Sequence, residues 1–295
     1  MMIDRFLEYL RYERNRSPLS VKSYEEDLRA FESFFKNLHI DGLTWGTIDA
    51  DIIREWMESM MDKGNTATTI NRRLSALRSF YRYALSRHFV ASDPAHTIKG
   101  PKNKKPLPQY LRETEMDRLI DDIQWNKDCF NDVRARTIIL LFYETGMRLA
   151  ELASLDDSSV DFDHLEIKVH GKRDKYRLIP IGSEMVKAVK RYIEQRDKYV
   201  ERKGAALFVS ENGERMKHFQ IRNEVKKHLS LVTTMKKKSP HVLRHTFATA
   251  MLNHDAGLES VRKLLGHESL ATTEIYTHTT FEQLKKTYSN AHPRA

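Results

Sequence analysis

Apolar side chains recur at helical spacing through the first third of the chain. One stripe covers residues 6–10, a second covers residues 24–35, a third predicted helix covers residues 52–61, and a fourth stripe runs over residues 70–84. Steps of three and four residues bring these side chains onto one face of a helix. The pattern therefore predicts that the protein opens with a helical module that has its own core.

The fourth predicted helix carries a row of basic side chains. These are Arg72, Arg73, Arg78 and Arg82. Such a row is most often a solvated face, and the functional alternative is a helix presented to DNA phosphates.

The apolar pattern stops between Pro94 and Pro108, where prolines, one glycine and several lysines replace it. Such composition predicts an extended linker. We therefore expect an N-terminal helical domain over residues 1–93, a linker over residues 94–108 and a C-terminal domain over residues 109–295.

The C-terminal part is predicted to be mainly helical with one small β-hairpin or sheet. Residues 138–142 form the strongest apolar run and predict a buried helix, which Gly146 ends. Alternating apolar residues on both sides of the turn-like sequence GKRD predict a hairpin with Lys172 at its tip. The alternating positions are Leu165, Ile167, Val169, Tyr176, Leu178 and Pro180.

Composition narrows the class of protein. The 295 residues include 50 Lys and Arg against 41 Asp and Glu, and the net charge of +9 favours a polyanionic partner such as nucleic acid. The single cysteine, Cys129, cannot form an internal disulfide, and no apolar run is long enough to span a bilayer. We expect a cytoplasmic protein. The absence of glycine-rich nucleotide-binding motifs argues against ATP hydrolysis and dinucleotide redox chemistry.

Cations, neutral donors and one phenol recur in four segments of the C-terminal part. The candidate catalytic residues are Arg148, Lys172, His241, Arg244, His267 and Tyr276. Together they are the groups needed to bind a phosphodiester and attack it without a metal or another cofactor.

Each candidate has a distinct chemical role in that reaction. Two guanidinium groups, those of Arg148 and Arg244, can stabilise the oxygens of a phosphoryl transition state. Attack by Tyr276, helped by His241, would leave a covalent phosphotyrosine that keeps the energy of the broken bond, so ATP is not needed. Lys172 can protonate the leaving oxygen. His267 would donate a hydrogen bond to the phosphate.

Taken singly, these residues also have structural explanations. Arg148 could pair with Glu151, and Tyr276 could be a half-buried core aromatic. His241 and His245 could ligate zinc, but no third ligand has a suggestive spacing and the glutamate of the H-E-x-x-H motif is missing.

Four motifs in order, GMRLAEL, HGKRDKYR, HVLRHTFAT and LLGHESLATTEIYTH, resemble the catalytic signature of the tyrosine recombinase (phage integrase) family, and most of all its Xer-type members. The resemblance implies a helical core-binding domain followed by an integrase catalytic domain. It also implies site-specific recombination through a 3′-phosphotyrosine intermediate, independent of metal and ATP, in chromosome dimer resolution or in integration and excision of a mobile element.

The resemblance assigns the same six residues to the site. The two arginines would clamp the scissile phosphate, Lys172 would protonate the 5′ oxygen, and Tyr276 would be the nucleophile. His245 has no counterpart and is expected to be structural or to brace the site. One departure is that Arg173 follows Lys172 where the family often has glycine, which makes Lys175 an alternative general acid.

The implied partners are a double-stranded DNA site and further protomers, identical or paralogous, in a tetramer on two sites. The tail after Tyr276 has apolar residues Phe281, Leu284 and Tyr288, which dock either on their own domain or, as the resemblance implies, on a neighbour. Two other functions stay open: a non-catalytic helical DNA-binding regulator, which needs no nucleophile, and a topoisomerase-like enzyme with the same phosphotyrosine step.

Overall fold

The computed structural model describes residues 2–103, 109–171, 176–266 and 278–294, with the backbone alone for residues 278–282. The chain divides into two compact units, Met1–Pro106 and Leu107–Ala295. Within the described ranges, no helix has the length and apolar character that a membrane span needs.

Four helices build the first unit, as the apolar spacing predicts. They are α1 (Met2–Glu8, extended by a π-helical turn over Tyr9–Glu13), α2 (Pro18–Lys36), α3 (Ala50–Asp62) and α4 (Ala67–Ser86). Ser17, Asp49 and Thr66 cap the last three helices by accepting hydrogen bonds from backbone amides of the first turn. Phe31 and Phe80 are fully buried in the core between them.

The predicted linker is packed in part, which its proline- and lysine-rich composition did not predict: the chain turns over residues 94–97, and half of residues 94–103 are exposed. Ala95 and Ile98 are buried in the core of the first unit. Arg78 donates to the backbone carbonyls of both residues, and the Asn71 amide donates to the carbonyl of Pro101 at 2.8 Å. These bonds satisfy carbonyls of a segment that has no regular secondary structure and hold it against α4.

The second unit consists of eight helices and three short strands within its described residues. The elements are α5 (Glu113–Asp117, extended by a π-helical turn over Arg118–Asp122), α6 (Phe130–Thr145), α7 (Leu149–Ala153), β1 (Val160–Asp161), β2 (Glu166–His170), β3 (Tyr176–Pro180), α8 (Ser183–Tyr199), α9 (His218–Val232), α10 (Pro240–Asn253), α11 (Leu258–Leu265) and α12 (His278–Ala291).

Helix α6 is the central element of this unit, as its apolar sequence predicts. Residues 138–142 are fully buried, and α8, α9 and α10 pack against the helix. Gly146 ends α6 in the left-handed conformation (φ +57°), and its amide donates to the carbonyl of Phe142. A Cβ at this position would lie 2.4 Å from Cδ1 of Phe247, so only glycine fits.

The three strands form one antiparallel sheet in the order β1-β2-β3. The hairpin is confirmed, but the alternating apolar residues of β3 do not mark its buried face. Val169 pairs with Arg177 and Ile167 pairs with Ile179, so Arg177 and Ile179 share the inner face with the buried residues of β2. Tyr176 is 57% exposed. The inner position of β3 therefore holds a buried arginine.

Helix α12 docks on its own unit in the single chain. Leu284, Tyr288 and Ala291 are buried in a cluster with Phe247 of α10 and Leu264 of α11. This is the structural alternative to exchange of the tail with a neighbour.

Candidate active site

Arg148 stands at the start of α7, directly after the glycine that ends α6. Its extended backbone (φ −79°, ψ 154°) makes it the N-cap residue, and its amide donates to Oε2 of Glu151 at 2.6 Å. Its Nη1 donates to Oε1 of Glu151 at 2.9 Å, and its Nη2 donates to the carbonyl of Gly266 at 2.8 Å. The guanidinium group is therefore fixed at both ends while the side chain stays 35% exposed.

Arg244 lies on α10 and is buried, with 8% of its surface exposed. Its Nη1 donates to the carbonyl of Gly146, and its Nη2 donates to the carbonyl of Leu265 at 2.7 Å. The predicted helix over HVLRHTFAT is confirmed by α10. The middle turn of α10 thus places the guanidinium group of Arg244 at the junction between α6 and α7, where Arg148 lies.

A third arginine, Arg177 of β3, belongs to the same cluster, and the search of the sequence for catalytic residues did not identify it. Its Nη1 and Nη2 donate to the two carboxylate oxygens of Glu151 at 2.6 and 2.9 Å, and its Nε donates to the carbonyl of Leu264 at 3.3 Å. The signal was present in the sequence as a charged residue inside an alternating strand. It could be recognised only with the register of the hairpin known.

The C-terminal end of α11 brings the three arginines together. The carbonyls of residues 264, 265 and 266 accept hydrogen bonds from Arg177, Arg244 and Arg148, in that order. The last carbonyls of a helix have no partner within the helix and carry a partial negative charge, so they attract cations. The chain leaves this point toward the segment that contains His267 and Tyr276.

Burial and charge set the protonation states in the cluster. Burial would raise the pKa of Glu151, but the hydrogen bonds and charges of Arg177 and Arg148 outweigh it and lower that pKa to about 2. Burial, with the charges of Arg148 and Arg177, lowers the pKa of Arg244 to about 10, which still leaves it a cation near neutral pH. Within the part of the site that the structure describes, the cluster thus combines the three guanidinium cations with the carboxylate of Glu151.

His241 and His245 are both exposed on α10, one turn apart. Partial desolvation, followed by the positive charges of Lys237, Arg244 and His245, lowers the pKa of His241. A histidine with a lowered pKa is neutral near pH 7 and can accept a proton.

The other predicted catalytic residues, Lys172, His267 and Tyr276, lie outside the described residues, as do Arg173 and Lys175. Their neighbours are described: β2 and β3 flank the hairpin turn, and α11 and α12 flank the segment with the tyrosine. Of the six predicted residues, the structure therefore brings together Arg148 and Arg244, with His241 one turn before Arg244 on the same helix.

The arginines of α4 differ in their surroundings. Arg72 pairs with the buried carboxylate of Asp27 and donates to Oγ of Ser23, and Arg73 lies 3.6 Å from the same carboxylate. Arg78 donates to the carbonyls of Ala95 and Ile98, and Arg82 is exposed. A role of these four residues in DNA binding stays a prediction, and Arg82 is its simplest test.

Two family models match the chain. The model of the phage integrase family matches residues 109–283, and the model of the N-terminal SAM-like domain of phage integrases matches residues 3–88.

Curated relatives match over their whole length. The tyrosine recombinase XerC of Pelotomaculum thermopropionicum is 37% identical, with 99% of this chain and 98% of the relative covered. The tyrosine recombinase XerD of Staphylococcus aureus is 32% identical over 100% and 99% of the two chains.

Solved structures share the fold. A XerH site-specific recombinase bound to its palindromic difH substrate has a TM-score of 0.71 at 24% identity, covering 97% of this chain and 84% of that one. The Tn1549 transposon integrase in complex with transposon right end DNA has a TM-score of 0.73 at 21% identity, with 98% of each chain covered.

Proposed function

The chain belongs to the phage integrase family and is an Xer-type tyrosine recombinase, a site-specific DNA recombinase, and from this we propose the roles of its individual residues. In this proposal Arg148 and Arg244 bind the scissile phosphate, and Tyr276 attacks it. His241 accepts the proton of the tyrosine hydroxyl, and Lys172 protonates the leaving oxygen. His267 donates a hydrogen bond to the phosphate. The helical first unit would be the core-binding domain and the second the catalytic domain.

One observation carries the proposal: Arg148 and Arg244, which are far apart in the sequence, donate to the adjacent carbonyls of Gly266 and Leu265. Two guanidinium groups held side by side can donate to two oxygens of one phosphate. The candidate nucleophile lies ten residues further along the chain from Gly266. The phosphate site and the segment with the tyrosine are therefore joined through the end of α11.

Cleavage then follows as a balanced phosphoryl transfer. The phenol oxygen of Tyr276 forms a bond to phosphorus, and its proton passes to His241, whose lowered pKa favours the neutral, accepting form. The bond from phosphorus to the 5′ oxygen breaks, and Lys172 gives that oxygen a proton. The product is a 3′-phosphotyrosine and a free 5′ hydroxyl. Attack by a 5′ hydroxyl of another strand reverses these transfers and restores the tyrosine.

Trapping the covalent intermediate tests these roles. Wild-type protein should form a covalent adduct with a nicked suicide substrate in the presence of EDTA, and peptide mapping should place the DNA on Tyr276. Tyr276→Phe should form none, while Tyr199→Phe, which changes an exposed tyrosine of the same unit, should react as wild type does. An adduct on Tyr276→Phe would mean that the nucleophile is another residue. Loss of wild-type cleavage in EDTA would refute the metal-free mechanism.

We further propose that four protomers act on two double-stranded DNA sites in the cytoplasm, either as one kind of chain or with a paralogous recombinase. The supporting observation is similarity to relatives named XerC and to relatives named XerD. Mass photometry of the protein with a two-site DNA should show complexes of four chains and two sites under the conditions of strand exchange. Exchange by complexes of only two chains would contradict the tetramer.

The biological process is chromosome dimer resolution or movement of a mobile element. Both use the same chemistry, so the DNA target decides between them. Sequencing the DNA that Tyr276 captures in cells would identify the site. A site present once in the chromosome would favour dimer resolution, whereas junctions of an inserted element would favour integration and excision.

A further inference from the structure

Arg177 contacts the same two supports of the phosphate site as Arg148, the Glu151 carboxylate and the end of α11, but it engages them with its whole guanidinium group. Its fork holds both oxygens of Glu151, and its Nε holds the carbonyl of Leu264. Its side chain is 8% exposed, against 35% for Arg148. All three guanidinium nitrogens of Arg177 donate to Glu151 or Leu264, so this residue is placed to fix its neighbours rather than to receive DNA itself.

The first support is the carboxylate. Glu151 is 3% exposed, and its pKa of about 2 makes it an anion at any working pH. Arg148 bonds Oε1 of this carboxylate through its side chain and Oε2 through its backbone amide. Without Arg177, the guanidinium group still hydrogen-bonded to Glu151 would be that of Arg148, which is one of the two arginines proposed to bind the phosphate.

The net charge of the cluster shows what the loss of Arg177 would change. Arg148, Arg177 and Arg244 with Glu151 leave a net charge of +2, and removal of Arg177 would leave +1 with a buried carboxylate beside the anionic phosphate. An unbalanced buried charge is strongly unfavourable, and its repulsion of another anion is weakly screened. Arg177 therefore keeps the site electropositive without contacting the substrate.

The second support is the end of α11. Arg177 packs against Gly266, where a Cβ would lie 3.2 Å from three atoms of the arginine side chain. Gly266 itself has φ +63° and accepts the hydrogen bond of Arg148. Arg177 thus ties β3 to the helix end from which the chain continues toward Tyr276.

We propose that Arg177 is a positioning residue for DNA strand cleavage: it neutralises Glu151 and fixes the end of α11, so that Arg148 and Arg244 are oriented to hold the phosphate in line with the nucleophile. This role rests on the proposed function. It adds to that function a residue that acts through Glu151 and the helix end rather than through contact with DNA.

The test is a double-mutant cycle on Arg177 and Glu151 in the full-length protein. Arg177→Met should lower the single-turnover cleavage rate at saturating DNA by about 100-fold, comparable to loss of one transition-state donor. Its affinity for one DNA site should change by less than about threefold, because many phosphate contacts share the binding. Adding Glu151→Gln to Arg177→Met removes the unbalanced carboxylate. The double variant should therefore cleave at least about tenfold faster than Arg177→Met, a coupling typical of residues in contact.

Arg196→Met is the matched control. Arg196 is also fully buried and also pairs with carboxylates, those of Asp157 and Asp197, but it lies outside the site. This variant should lower the melting temperature and leave the cleavage rate of the folded protein unchanged. A merely structural Arg177 would behave in the same way as Arg196.

Three results would overturn the role of Arg177: wild-type cleavage by Arg177→Met, a loss of rate that only matches its unfolded fraction, or no recovery when Glu151→Gln is added. If Arg177→Met does not fold, Arg177→Gln removes both the charge and the fork but keeps a polar side chain, and a wild-type rate in that variant would also refute the role. Failure of the proposed function is distinguishable, because wild-type protein would then form no adduct on Tyr276.

Discussion

Raising the pH from about 6.5 to about 8 should destabilise the second unit, because folding keeps a proton on a carboxylate buried under α12 that the unfolded chain releases. Glu144, near the end of α6, is fully buried and accepts a hydrogen bond from the Tyr288 hydroxyl at 3.3 Å. Burial, with the negative charge of Glu184, raises its pKa from 4.5 to about 8, although Tyr288 and the charge of Arg294 oppose the shift. The folded protein therefore keeps a proton on Glu144 that the unfolded chain has lost.

A neighbouring histidine has the opposite effect. His292 stacks on Tyr288 and donates to the carbonyl of Tyr143 at 3.2 Å, and burial lowers its pKa from 6.5 to about 4. Between those values the unfolded chain binds a proton that the folded protein does not, so the contribution of His292 to stability rises with pH. The contribution of Glu144 falls with pH between 4.5 and 8.

The two contributions cancel over the range that they share, and Glu144 acts alone from about pH 6.5 to about pH 8. Each pH unit changes the free energy of unfolding by about 1.4 kcal/mol per proton, so the loss over this range is about 2 kcal/mol. That is a sizeable part of the roughly 5–15 kcal/mol that stabilises an ordinary domain.

Hydrogen exchange measured by mass spectrometry provides the assay. Peptides from α6 and α12 report the free energy of opening in the second unit at each pH, and peptides from α4 in the first unit serve as an internal control. Glu144→Gln should abolish the fall between pH 6.5 and 8 and should be more stable than wild type at pH 8. His292→Gln should make the fall begin near pH 4.5. An unchanged fall in Glu144→Gln would refute the reasoning.

Two further predictions concern the leaving group and the DNA contacts. Lys172→Ala should slow cleavage severely, and a 5′-bridging phosphorothiolate, whose sulfur leaves without a proton, should restore the rate. Lys175→Ala should have a milder effect, and rescue of that variant instead would assign the general acid to Lys175. Arg82→Ala should weaken DNA binding and reduce the slope of its salt dependence by about one unit if one phosphate contact is lost. An unchanged slope would mean that this exposed arginine is only solvated.

The helices could be predicted from the sequence because their apolar residues repeat over several turns. The site was predictable in part. Arg148 and Arg244 were identified by residue type and motif order, and the structure places both at the end of α11. Arg177 was not identified, because its alternating neighbours suggested the wrong inner face for β3. A buried arginine at that position is stable only through Glu151, which comes from another element.

The four arginines of α4 also show that the partners of a side chain cannot be predicted from the pattern of its own helix. Four arginines on one helix predicted either a solvated face or a face for phosphates, yet the partners of Arg72 and Arg78 come from other segments of the first unit. Asp27 of α2 pairs with Arg72, and the carbonyls of Ala95 and Ile98 bind Arg78. A pattern along one helix cannot reveal partners that approach it only in the folded state.

The partners of the three clustered arginines suit the handling of an anionic substrate. Like charges at close quarters repel, so the cluster needs negative partners before DNA arrives. If each arginine had its own carboxylate, the site would be neutral and would attract a phosphate weakly. Among the described residues, Glu151 is the partner that carries a full negative charge, and the other partners named above are backbone carbonyls, those of residues 264–266 of α11 among them. Carbonyl dipoles hold the guanidinium groups in place without cancelling their charge. The site can therefore be preorganised and still keep the positive charge that a phosphodiester requires.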